Sequence, residues 1–238
     1  MENTNAFLKR TIGEIVADDY RAATVFEKHG VDFCCGGQVT LSDTCLEKGL
    51  DPARIIDEIE AVQKTPVERG RNYGSWSLSF LADYIVNTHH TYLRENIGEI
   101  VAYTQKIAKV HGEHHPEVVE IAAIFAKIEN DMLAHLRAEE EVCFPAIKRV
   151  EEAQKAGMSP SVEDIETIRH SLLNFHLEHE EIGDAAHKIR HLAKGFALPD
   201  DACNTFMITY QKLQEFEDDL HKHVHLENNI LFPKVTGM

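Results

Sequence analysis

Four long segments, roughly 78–110, 117–150, 162–193 and 200–234, each carry an apolar stripe at alternating spacings of three and four, and every stripe contains a histidine. The first runs Val86, His90, Leu93, Ile97, Val101, and the third Ile165, Ile168, Leu172, Phe175, His179, Ile182. The second runs Phe125, Ile128, Met132, His135, Glu139, Val142, and the fourth Leu213, Phe216, Leu220, His223, Glu227, Ile230. Two stripes thus add a glutamate one turn after the histidine, where side chains point the same way about 6 Å further along the axis. Burying a bare carboxylate is very costly unless it is paired or bound to metal.

These segments are separated by short punctuation, "HGEHHP", "GMSP" and "GFALPD", and no run of alternating β-branched residues interrupts them. Short links between helices of similar length make neighbours antiparallel, so the expected architecture is an all-α, up-down-up-down four-helix bundle. An internal repeat supports two helix pairs. "HLRAEEEVCFPAI" (135–147) and "HVHLENNILFPKV" (223–235) share His-x3-Glu-x4-Phe-Pro in one register. Upstream, residues 1–65 read as a small helical domain. Thr11 and Glu14 form a capping-box signature for a helix to about His29; Gly49 stops a short helix, and Asp51-Pro52 opens another to about Gln63. Residues 66–76 read as a linker and 77–238 as the bundle domain.

Antiparallel packing brings His90, His135 and His223 to one level within about a turn, with His179 offset by about two turns from its proposed helix start. Four histidines and two glutamates then converge. One zinc uses four ligands, and calcium or magnesium wants mostly oxygen. Six nitrogen and oxygen donors suit two octahedral transition ions, iron first and manganese second. Each ion takes two histidines and shares Glu139 and Glu227 as bridges, leaving a position for a solvent-derived oxo or hydroxo bridge or a small ligand. His89, His176 and His225 neighbour these positions, whereas His111, His115 and His187 read as ordinary surface histidines.

Composition removes several function classes. Forty acidic against 24 basic residues give a formal charge of −16, which repels phosphate backbones, so neither nucleic acid nor an anionic membrane is an expected partner. No signal peptide or apolar run of membrane-spanning length is present, and five cysteines fit no secreted disulfide framework, so the cytoplasm is the expected location. Cys45, Cys143 and Cys203 read as core residues.

The stretch "VDFCCGGQ" (31–38) is a separate feature. Adjacent side chains diverge, so Cys34 and Cys35 do not readily clamp one ion, and Gly36 and Gly37 relax the backbone around them. An accessible dithiol for transient work is the leading reading, beside packing of the N-terminal unit or a permanent metal site.

These stretches resemble those of the di-iron iron–sulfur cluster repair proteins, the RIC, ScdA or YtfE family, whose large domain is hemerythrin-like. "DFCCGG" resembles the hallmark of that family's N-terminal domain. "HLRAEEEVCFP", "FHLEHEEIG" and "HVHLENNILFP" resemble its iron-binding stretches. Carried over by position, the resemblance implies a non-haem di-iron centre on His90, His135, Glu139, His179, His223 and Glu227. It also implies a cytoplasmic role in restoring iron–sulfur proteins damaged by nitric oxide or oxidants. Iron donation and reduction of nitric oxide to nitrous oxide are both open, as is a homodimer. The rival readings are a hemerythrin-type protein that binds or senses oxygen or nitric oxide without catalysis, and an iron-storage or structural bundle.

Overall fold

The computed structural model describes residues 7–33, 36–64 and 73–237 of the chain. Cys34 and Cys35, and residues 66–72 of the expected linker, lie outside the described residues. All regular structure described is helical, and the described residues hold no strand beyond an isolated bridge between Thr11 and Thr40. In chain order the helices are α1 Ile12–Asp18, α2 Ala22–Lys28, α3 Leu41–Lys48, α4 Pro52–Gln63, α5 Leu78–Ile85, α6 Thr91–His111, α7 Pro116–Ala138, α8 Phe144–Lys155, α9 Val162–Leu192, α10 Asn204–His225 and α11 Phe232–Thr236. None of the described helices is long and apolar enough to cross a membrane. The chain groups into two compact units, one from Ala82 to Leu220, the other the residues up to Leu81 together with those from His221 onward.

Within the unit from Ala82 to Leu220, ion pairs and ring contacts fix the helix directions. His90 meets Glu140 at 2.6 Å and Asp83 meets Lys148 at 2.5 Å, so the α5–α6 rod runs against α7–α8. Lys188 reaches Glu120 at 2.6 Å while Asp164 reaches Arg149 at 2.6 Å, so α9 is antiparallel to α7–α8. Phe206 lies 5.3 Å from the His111 ring and Asp219 bonds His89 at 2.9 Å, so α10 runs back along the first rod. The order is up-down-up-down. Phe125 and Phe216 cross edge to face at 5.0 Å in the apolar centre.

Three of the long rods are not continuous α-helix. π-helical turns occupy Val86–His90, Glu139–Cys143 and Leu226–Leu231. The Phe-Pro of the repeat follows two of them, and proline has no N–H to close the preceding α-turn. The turn without proline has another device: the Thr91 hydroxyl donates to the Val86 carbonyl at 3.1 Å. Each π turn advances the register, so the inward step from Ile85 to His90 spans five residues rather than four. That corrects the expected stripes. Val142 is 47% exposed and Cys143 is wholly buried in its place, and Ile85 is buried where Val86 was expected; further along, the ordinary helical step of three from Ile97 buries Ile100 in place of Val101. Ile165, at the outer end of the third stripe, is also exposed.

In the other unit, Thr11 and Glu14 make the expected capping box. The single helix expected from there to about His29 is instead two, α1 and α2. At the break the Asp19 carboxylate accepts the main-chain N–H of Arg21 at 3.1 Å and its Nε–H at 2.8 Å, and the Asp19 backbone is extended. A short acidic side chain that bonds nearby backbone competes with helical pairing. The Arg21 guanidinium accordingly holds the Asp19 carboxyl below its usual range. Gly37 does more than relax the chain. The Gly13 amide donates to its carbonyl at 2.7 Å, and a Cβ on Gly37 would stand 2.8 Å from the Phe33 carbonyl oxygen and 2.9 Å from Oδ1 of Asn229. Asn229 in turn donates to the Phe33 carbonyl at 2.9 Å, fixing the residue next to the cysteine pair.

Candidate metal centre

Each expected donor is buried: His90, Glu139, His223 and Glu227 are 0% exposed, His179 2% and His135 3%. Three rods of the unit from Ala82 to Leu220 supply four of them. His90 closes the first π turn, His135 stands in the last turn of α7, Glu139 opens the second π turn, and His179 stands mid-way along α9. Glu139 Oε2 is 3.4 Å from Nε2 of His90 and 3.4 Å from Nε2 of His135. Nε2 of His135 and Nε2 of His179 face each other at 2.9 Å. The two-turn offset expected for His179 is therefore absent; the third helix begins at Val162 as expected, whereas the second rod runs on to Lys155 rather than to about 150, which places its end farther from His135. In the other unit, at the end of α10, His223 Nε2 lies 2.9 Å from Glu227 Oε1, one turn on.

These spacings match a shared ion. Two donors held at about 2.0–2.2 Å and roughly a right to tetrahedral angle stand about 2.9–3.4 Å apart. Two imidazole nitrogens at 2.9 Å share either one proton or one cation, and a carboxylate between imidazoles supplies the compensating charge. The buried histidine–glutamate clusters have the composition of a di-iron-type site.

Two residues outside the expected set complete the arrangement. Glu140 Oε1 accepts from Nδ1 of His90 at 2.6 Å, and Glu178 Oε2 accepts from Nδ1 of His135 at 2.6 Å. Arg94 binds the same Glu140 oxygen. A carboxylate on Nδ1 keeps the proton there and leaves Nε2 as the lone-pair donor, which is how metal-ligating histidines are oriented. The signal was in the sequence: each acid is adjacent to an expected donor, Glu140 after Glu139 and Glu178 before His179. Glu178 also lines a cavity of about 340 Å³ with Lys127, Asp131, Glu181 and His135, so the His135 ring stands at an opening wide enough for a small ligand.

The neighbouring histidines divide. His89 is buried and bonded to Asp219, whereas His176 lies in an exposed pairing with Glu180 at 3.4 Å. His225 is wholly buried, its Nδ1 3.0 Å from Asn229 Nδ2 and its ring 5.4 Å from Tyr20 and 5.9 Å from Phe33. Burial pushes its pKa down to about 3, so it is a neutral imidazole. Cys45 and Cys143 are core residues as expected, but Cys203 is exposed, because it sits before the first turn of α10 rather than on its inward face.

Residues 8–63 match the ScdA_N family, described as a domain of unknown function, and residues 81–235 match the Hemerythrin HHE cation binding domain. The iron-sulfur cluster repair protein ScdA of Staphylococcus haemolyticus is 31% identical over 226 residues, 94% of this chain and 97% of that protein. A probable iron-sulfur cluster repair protein of Haemophilus influenzae is 31% identical over 233 residues, 98% of this chain and 99% of its own. The iron-sulfur cluster repair protein YtfE of Escherichia coli is 29% identical over 232 residues, again 98% and 99%.

Proposed function

Since the chain belongs to the ScdA/YtfE family of iron–sulfur cluster repair proteins with a hemerythrin-like domain, we propose that it takes part in cytoplasmic repair of iron–sulfur clusters damaged by nitrosative or oxidative stress. Two iron ions are the resident group of this reading. The sequence pattern supports assigning them to His90, His135, Glu139, His179, His223 and Glu227, two histidines to each ion with the two glutamates as the proposed bridges. The observation that carries the reading is the placement of Glu139 at equal 3.4 Å distances from the Nε2 atoms of two buried histidines.

Two iron ions so held would supply two electrons for coupling nitric oxide into nitrous oxide, or would themselves be the cargo passed to a damaged cluster. The protein's part is to set the donors. Glu140 and Glu178 hold two imidazoles as neutral ligands, burial excludes bulk water, and the cavity at Glu178 admits a diatomic molecule or a cation. Cys34 and Cys35 are assigned the transient thiol chemistry of iron hand-over, on their adjacency in sequence alone.

Iron analysis and Mössbauer spectroscopy of anaerobically purified protein test the centre: two coupled irons per chain are expected, and a single zinc overturns it. Stopped-flow mixing of the diferrous protein with nitric oxide, with nitrous oxide measured by gas chromatography, separates the roles. Gas supports reduction, and no gas excludes it. Transfer of labelled iron to an apo-ferredoxin, unchanged when both cysteines are replaced, excludes the dithiol route. The second reading, non-catalytic binding or sensing of oxygen or nitric oxide, is favoured by the cation-binding family match over residues 81–235. A stable, reversible oxy complex in air would select it.

A further inference from the structure

Cys203 immediately precedes α10, and its sulfur is one half of a pair. Sγ lies 3.1 Å from Nε2 of His111, the last residue of α6. The main-chain N–H groups of Phe206 and Thr205 also bond the sulfur. It therefore takes the acceptor place that a serine or aspartate oxygen fills at a helix start, at the positive end of the α10 dipole. The hydrogen bonds from Phe206 and then from His111 bring the thiol down to about 7. His111 is positioned by ring contacts to Phe206 at 5.3 Å and to His115 at 6.3 Å. The nearby carboxylates are engaged elsewhere: His115 bonds Glu117 at 3.0 Å and Asp201 at 3.0 Å. Along α6 the pair stands about 30 Å from His90, at about 1.5 Å per residue, so it is no part of the metal centre.

We infer that Cys203 and His111 form a thiol-exchange site that takes up a low-molecular-weight disulfide as a mixed disulfide. The Cys203 thiolate attacks one sulfur of the disulfide; a new S–S bond forms as the old one breaks. The departing thiolate takes the proton that His111 received from the Cys203 thiol. One half of the small disulfide is reduced to a thiol, Cys203 is oxidised, and no further oxidant is consumed. Among the other described cysteines, Cys45 and Cys143 are buried, and burial pushes the Cys45 thiol up, so neither competes.

The chemistry predicts a crossing pH profile. At pH 7 about half of a thiol with a pKa near 7 is thiolate, against about 3% for an ordinary cysteine near 8.5. Intrinsic nucleophilicity falls with pKa with a coefficient of about 0.4–0.5, leaving a net gain of about threefold at pH 7 and a loss of about fivefold at pH 10, where both are ionised. The test uses full-length, metal-loaded protein with glutathione disulfide as the probe. Uptake at the Cys203 peptide is followed by mass spectrometry, which separates it from Cys34 and Cys35, and the reference is a synthetic peptide spanning residues 199–207. Faster uptake than the peptide at pH 7 and slower at pH 10 is the expected result; a profile parallel to the peptide's overturns the inference. His111→Gln should remove part of the threefold advantage at pH 7, the hydrogen bond from Phe206 keeping the rest. An unmoved profile in a variant that keeps its helical circular dichroism overturns the role of His111, while the crossing in the unaltered protein tests the site whether or not the variant folds.

Discussion

Nδ1 of His135 lies 2.6 Å from Oε2 of Glu178, the residue immediately before His179, so α9 supplies both an expected metal donor and the acid that orients another. His90 and Glu140 repeat the relationship at the same distance, with Glu140 adjacent to Glu139. Adjacent helical residues point about 100° apart, which lets one face the centre while its neighbour reaches the back of the next ring.

Removing that acid should weaken the centre without unfolding the bundle. Glu178→Ala is expected to lower metal affinity about 10–100-fold, whereas Glu178→Gln, which still accepts the Nδ1 proton, should recover most of the loss. Iron retention against a chelator measures both, and equal retention in all three proteins would remove Glu178 from the site.

Glu139 should act in opposite directions with and without metal. Its carboxylate is wholly buried between two imidazoles, a burden when no cation is bound and a ligand when one is. Glu139→Gln is expected to stabilise the metal-free protein by about 1–3 kcal/mol and to destabilise the loaded one. Urea unfolding of both forms reads the sign, and a loss of stability in the metal-free form contradicts it.

Gly13 tests the fixing of the segment beside the cysteine pair. A Cβ there would stand 2.3 Å from Oδ1 of Asn229 and 3.0 Å from the Gly37 carbonyl oxygen. Gly13→Ala should cost about 1–3 kcal/mol. Adding Asn229→Ala should return part of it, because the nearer obstacle is then gone. Strict additivity of the two changes in a double-mutant cycle would show that the residues do not meet.

His115 should impose a pH dependence of its own. Hydrogen bonding to Glu117, and then to Asp201, raises its pKa above the ordinary value of 6.5, and Asp201 is lowered by the same contact. The histidine's contribution is therefore complete below about pH 6.5 and is lost as pH rises through the raised folded value. The difference in urea midpoint between the unaltered protein and His115→Gln should be positive at pH 6 and shrink toward pH 9. A difference that grows with pH has the wrong sign for this pairing.

Much of this protein was written in its residue order. Apolar residues at spacings of three and four, with histidine and glutamate inserted, determine four amphipathic helices with buried donors, because backbone hydrogen bonding fixes the helical period. Caps at Thr11, Asp51 and Gly49 are equally local, since each bond joins residues a few positions apart. A uniform period could not foresee the π turns, so it placed Val142 inside and missed Cys143. The partners of His90 and His135, and the exposed pairing of Cys203 with His111, depend on which helix lies opposite at a given height. Contacts between distant residues arise only when packing sets helix heights and rotations, and no single segment carries that information.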